Sequence, residues 1–128
     1  MNVIKEAKLL LFPFLFTIVG CSQNIERSMV LGIFIANHTK GIDSLIIRPD
    51  GTYLHSFTSP IGEKFVNSNN WEFELLDGEP HITFSRFLFR LEGHGRGKPG
   101  FWIVKVERSW GKLRLTIDPD LNYYYAKQ

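Results

Sequence analysis

The stretch "DSLIIRPDGTYLHSF", residues 43–57, decides the fold. Leu45-Ile46-Ile47 and Tyr53-Leu54-His55-Ser56-Phe57 are β-rich runs on either side of Arg48-Pro49-Asp50-Gly51. Asp-Gly between such runs marks a hairpin, because Gly accepts the positive φ that a tight antiparallel connection demands. Downstream, "WEFEL" (71–75) alternates strictly, with Trp71, Phe73 and Leu75 on one face and Glu72 and Glu74 on the other. That is the pattern of a half-buried antiparallel strand.

The rest of the chain reads the same way. "MVLGIFIAN" (29–37) is an apolar run of strand length that ends at the polar turn "NHTKG". "SPIGEKFVNSNN" (59–70) is turn-rich, with a short strand at Lys64 to Val66. Asp77-Gly78 is a turn, Pro80 to about Ser85 a strand, and "HGRGKPG" (94–100) a loop, since three Gly and a Pro hold no regular structure. "FWIVKVERSW" (101–110), "GKLRLTI" (111–117) and "LNYYYAK" (121–127) supply the last strands, and no long amphipathic helix follows the first 20 residues. Six to nine short strands with frequent turns predict an all-β domain. Its architecture is a small antiparallel up-and-down barrel or curled sheet, in which closure removes aggregation-prone edges.

Composition bounds the function. The 128 residues are 44% hydrophobic and 22% charged, which suits one globular domain. Aromatics make up 14%, with 11 Phe, in keeping with pleated, half-buried surfaces. With Lys5, Lys8 and Glu6 set aside, the totals of 15 basic and 13 acidic groups become 13 and 12. A domain so balanced has no electrostatic footprint for nucleic acid.

The single cysteine lies in "TIVGCSQN" (17–24), where an apolar run meets polar sequence. Lys5 and Lys8 give a positive start, and Leu9 to Val19 carries no charge. This run is too short for a membrane-spanning helix, which needs ~20 apolar residues, and it has the layout of a secretory signal. Ile18-Val19-Gly20-Cys21 resembles the lipobox of bacterial lipoproteins, departing only at Ile18, where that pattern prefers Leu. The resemblance implies cleavage before Cys21, a diacylglycerol joined to its thiol as a thioether, a palmitate-type acyl chain on the new amino terminus, and residence in the cell envelope. With Ser22 rather than Asp next, it implies outer-membrane sorting, facing the periplasm, in a diderm organism. The expected organisation is a signal peptide over 1–20, a lipidated tether over 21–28 and an antiparallel β domain over 29–128. The spacing "PDGTY … W-x-F" after a first strand resembles small lipocalin-like barrels of bacterial envelope proteins, over roughly residues 29 to 91. "GFW … VERSWGKLRL … DPDLNYYY" is similar to a terminal motif of uncharacterised lipoproteins, which names no activity.

Candidate chemistry is sparse. Glu72 and Glu74 share a strand face about 7 Å apart, within the roughly 6.5–9.5 Å that inverting glycoside hydrolysis uses. Alternating Glu is also the ordinary way to solvate a strand. His38, His55, His81 and His94 are scattered, without the close-spaced pairs typical of zinc sites, so no metal or cofactor is expected. "GHGRGKPG" lacks the G-K-[ST] ending and the following helix of a phosphate loop. Trp102, Trp110, Tyr124 and Tyr125, with Arg96 and Lys98 nearby, are the candidate ligand-binding residues, since aromatic and polar lining is what recognition sites use. The expectation is a lipid-anchored, non-enzymatic envelope protein with a binding or structural role and a lipid, glycan or envelope protein as partner. The alternative is an envelope hydrolase using Glu72 and Glu74 with a histidine.

Overall fold

A computed structural model describes residues 24–89 and 98–128. Cys21, His94 and Arg96 lie outside them, as does the expected signal peptide. Eight strands run up and down: β1 Gly32–Ala36, β2 Ile42–Ile47, β3 Thr52–Thr58, β4 Lys64–Leu76, β5 Glu79–Phe87, β6 Gly100–Ser109, β7 Lys112–Asp118 and β8 Tyr123–Lys127. Each pairs antiparallel with its chain neighbours, and β8 returns to β1 through Phe34↔Lys127, Ile35↔Ala126 and Ala36↔Tyr125, closing the barrel. Closure removes the two outer edge strands that an open sheet of this kind would have.

The hairpin at 43–57 forms as its residues dictate. Arg48 N–H donates to the Thr52 carbonyl (3.0 Å), and Gly51 takes φ +86°. Asp50 Oδ1 accepts from Thr52 N (2.9 Å) and Thr52 Oγ1 (2.7 Å). These bonds to the ionised form hold the Asp50 carboxyl below the usual carboxylate range. Strand parity then fills the barrel. Phe34, Leu45, Ile47, Tyr53, Trp71, Ile82, Phe84, Trp102, Val104, Val106, Leu113, Leu115 and Tyr125 are all buried. Phe84 stacks on Trp102 with centroids 5.3 Å apart, and Phe87 lies 4.8 Å from the same indole. The interior is packed with its own rings.

Three local expectations fail. The first strand starts at Gly32 rather than Met29, because Arg27–Val30 makes a 3₁₀ turn that inserts buried Val30 into one end of the barrel. Residues 64–76 form a single 13-residue strand, not a short strand after turns. Its first half pairs with β3 through Thr52↔Asn70, and its second half pairs with β5 from Trp71↔Phe84 onward. The polar "NSNN" works there because β4 and β5 part below Trp71. Asn67 Nδ2 donates to the Arg86 carbonyl (2.9 Å), standing in for ladder bonds. Tyr53 Oη donates to the Ser85 carbonyl (2.6 Å). Third, Leu75 keeps the parity of Trp71 and Phe73 but is 62% exposed, because β4 has run past the end of the core.

Two ends can now be told apart. One, the Asn24 end, carries Asn24–Leu31 and the turns 48–51, 77–78 and 110–111. The other carries the connections 37–41, 59–63 and 119–122 and the described residues 88–89 and 98–99.

Candidate functional site

The most concentrated chemistry lies inside the barrel, under the end opposite Asn24. Asp43, His55 and Tyr125 point inward from β2, β3 and β8, and none is more than 1% exposed. His55 Nε2 lies 2.7 Å from Asp43 Oδ1, and Tyr125 Oη donates to Asp43 Oδ2 at 2.9 Å. Tyr125 Oη also lies 3.3 Å from His55 Nε2. The geometry assigns the Nε2 proton to the bond with Asp43, so one carboxylate accepts from both neighbours. His55 Nδ1 has no hydrogen-bond partner among the described residues. Phe87 covers the imidazole face to face, centroids 4.7 Å apart and planes 11° from parallel. Among the described residues the ring is fully covered. The cluster therefore acts as a polar clasp joining three strands, one of them across the closing seam.

Burial, reinforced by the Asp43 carboxylate beside it, pushes the Tyr125 hydroxyl well above its ordinary range, and burial pushes Tyr53 up to about 12. Above pH ~10 the unfolded chain has ionised its tyrosines while the barrel keeps these two protonated. The unfolded state then binds fewer protons, so stability is fully present below pH ~10 and falls as pH rises beyond it. Tyr125 alone should cost about 1.4 kcal/mol per pH unit while it stays protonated, with Tyr53 adding to the slope. Denaturant melts from neutral pH to above pH ~10 check this. A midpoint that does not move over that window would contradict the buried setting of both hydroxyls.

The residues singled out from sequence are not brought together. Trp102 and Tyr125 face inward as core. Tyr124 lies on the outer face, half-buried beneath the Arg114 guanidinium, 3.9 Å from the ring centroid. Lys98 is exposed near the end opposite Asn24, whereas Trp110, 97% exposed, is at the Asn24 end. The aromatic binding surface expected at the C-terminus is thus divided between core, outer wall and hairpin tip. The reason is that β6 spans the whole barrel and separates Trp102 from Trp110. Glu72 and Glu74 stay exposed on the convex outside, with Glu74 opposite His81 across the β4–β5 ladder. His81 Nδ1 is 2.9 Å from the Glu79 carbonyl oxygen. Among the described residues no group of three or more His, Cys, Asp or Glu is placed to hold a metal.

Sequence reasoning missed the Asp43–His55–Tyr125 clasp. Half of its signal was present, because Asp43 shares the parity of Leu45 and Ile47, and His55 that of Tyr53. No protein-family model, curated protein or solved structure matches the chain. The eight-stranded antiparallel barrel is consistent with a lipocalin-like architecture on geometry alone.

Proposed function

We propose that this chain is a lipid-anchored cell-envelope protein whose barrel has a non-enzymatic binding or structural role, exercised from its outer surface. The observation that carries this reading is the interior filled with Phe34, Tyr53, Phe84, Phe87, Trp102 and Tyr125. A barrel that stores or converts a small molecule needs a lined cavity, and ligand sites of that kind run to about 300–1,000 Å³. The exterior, by contrast, exposes large apolar side chains: Phe101 at 77%, Ile103 at 59% and Trp110 at 97%. Such surface on a small domain is the usual material of contacts with partners or membranes. The lipobox-like Ile18-Val19-Gly20-Cys21 supplies the anchor in this reading, and a single acyl chain binds only marginally, so dual acylation is expected. In a diderm organism the membrane is the outer one.

The anchor is tested by metabolic labelling with a fatty-acid analogue. The wild-type chain should be labelled and shortened, and Cys21→Ser should leave an unlabelled, uncleaved precursor. Label persisting in Cys21→Ser, or a wild-type chain that takes none, overturns the assignment. The hydrolase alternative requires turnover of a glycan or ester that Glu72→Gln or Glu74→Gln abolishes.

A further inference from the structure

The Asn24 end of the barrel has a composition of its own. Trp110 and Gly111 form the tip of the β6–β7 hairpin with φ of +53° and +77°. The β4–β5 hairpin uses the same turn, φ +52° and +77°, with Asp77 in the place of Trp110. Asn or Asp is the easy residue there, and a bulky side chain at positive φ is a genuine outlier. Trp110 therefore occupies a place where it strains the backbone and buries nothing, being 97% exposed. Strain of this kind persists where a side chain is needed for something beyond the fold.

Beside the hairpin is a cleft of about 370 Å³ lined by Met29, Arg108, Lys112, Leu113 and Lys127, with Gly111 and Gln128, and no Asp or Glu side chain lines it. Lys127 Nζ donates to the Met29 carbonyl (2.6 Å), which holds one cation in place. Arg108 and Lys112 are exposed. The neighbouring hairpin adds Leu75 and Leu76, 62% and 38% exposed. Its acids are Asp77 and Glu79, the latter paired with Lys105 at 3.2 Å. Asn24 enters the structure at this same end, in a cleft with Phe73, Leu75 and Gly78. Cys21 is three residues earlier, so at most about 11 Å of chain separates it from the barrel.

We propose that this end docks on an anionic phospholipid surface, with the Trp110 indole at headgroup level and Arg108, Lys112 and Lys127 over the phosphates. The proposal rests on the anchored reading for its orientation: so short a tether leaves this end facing the bilayer. Tryptophan prefers that depth because its ring is apolar and its N–H is polar. Basic side chains at an anionic surface add attraction, roughly fivefold in partitioning for each cation. The barrel would then stand on the membrane rather than swing from a tether, presenting its opposite end outward.

The test uses the full chain recovered from its membrane and reconstituted in phosphatidylcholine vesicles, with and without phosphatidylglycerol, carrying brominated acyl chains. Trp71 and Trp102 are buried, so the fluorescence difference between wild type and Trp110→Asn isolates Trp110. Trp110→Asn should fold at least as well, since Asn relieves the turn. Trp110 emission should be blue-shifted and strongly quenched in the anionic vesicles. Arg108→Gln with Lys112→Gln should weaken that quenching, and so should omission of phosphatidylglycerol. Unquenched, water-like Trp110 emission in both vesicle types overturns the docking face. Absence of fatty-acid label at Cys21 speaks only against the anchor, because the Trp110 readout is taken on vesicle-bound protein whatever segment holds it there.

Discussion

Asp43→Ala should destabilise the barrel by about 3–5 kcal/mol, the range for removing one member of a buried polar or ionic pair. The carboxylate is the common acceptor for His55 Nε2 and Tyr125 Oη, at 2.7 and 2.9 Å. Deleting it strands both groups in the buried interior and leaves a void between β2, β3 and β8. Against a typical domain stability of about 5–15 kcal/mol the loss is large. Denaturant melts read it directly, and the circular-dichroism signal of the folded state shows whether the variant still folds. Replacing the whole cluster at once, as Asp43→Leu with His55→Leu and Tyr125→Phe, should cost much less than the single change. No orphaned polar group then remains, and apolar replacement of buried pairs is often neutral or stabilising. If Asp43→Ala costs under about 1 kcal/mol, the typical value of a solvated polar contact, the clasp has access to water and the barrel is more open than its packing indicates.

Trp71→Ala should cost about 3–5 kcal/mol, the range for emptying a large core aromatic site. Trp71 is 3% exposed, and its Nε1–H donates to the Arg48 carbonyl at 2.8 Å. The Arg27 guanidinium lies 4.6 Å from its ring centroid. Trp71 is also where β4 leaves β3, its backbone N–H donating to the Gly51 carbonyl at 2.9 Å as its own ladder with β5 begins. Truncation therefore loosens the seat of the 3₁₀ turn and the switch between partner strands together. Glu72→Ala, one residue on and facing solvent, should cost well under ~1 kcal/mol. Trp71→Phe should lie between, since it keeps most of the volume and loses one hydrogen bond, about 1 kcal/mol net. A single-residue slip of register would exchange the two faces, so melts with Glu72 more costly than Trp71 would mean the strand is paired differently.

Both results bear on the proposed docking. The polar clasp holds the closing seam near the end opposite Asn24, and Trp71 holds the Asn24 end, where Arg27 and Val30 meet the barrel. A barrel fixed at both ends is a rigid body, and only a rigid body transmits the placement of Trp110 on a membrane to the surfaces at the opposite end.

Local physics made much of this protein legible from its residues. Asp50-Gly51 and Asp77-Gly78 specify hairpins because φ above zero is a property of single residues and their neighbours. Alternation in "WEFEL" specifies which side chains face the core, and parity along β2 and β3 already placed Asp43 and His55 inward. What only the tertiary structure decided are the distances between elements. That "VNSNN" belongs to a 13-residue strand depends on Tyr53 and Asn67 satisfying the carbonyls of Ser85 and Arg86. That Tyr125 completes the clasp depends on β8 meeting β1, a pairing between residues about 90 positions apart that no local period encodes. Trp102 lies within β6 and Trp110 one residue past its end, in the turn, and the one is 8% and the other 97% exposed. Burial there is set by where the barrel ends, which is fixed by closure and shear and not by the alternation of the strand itself.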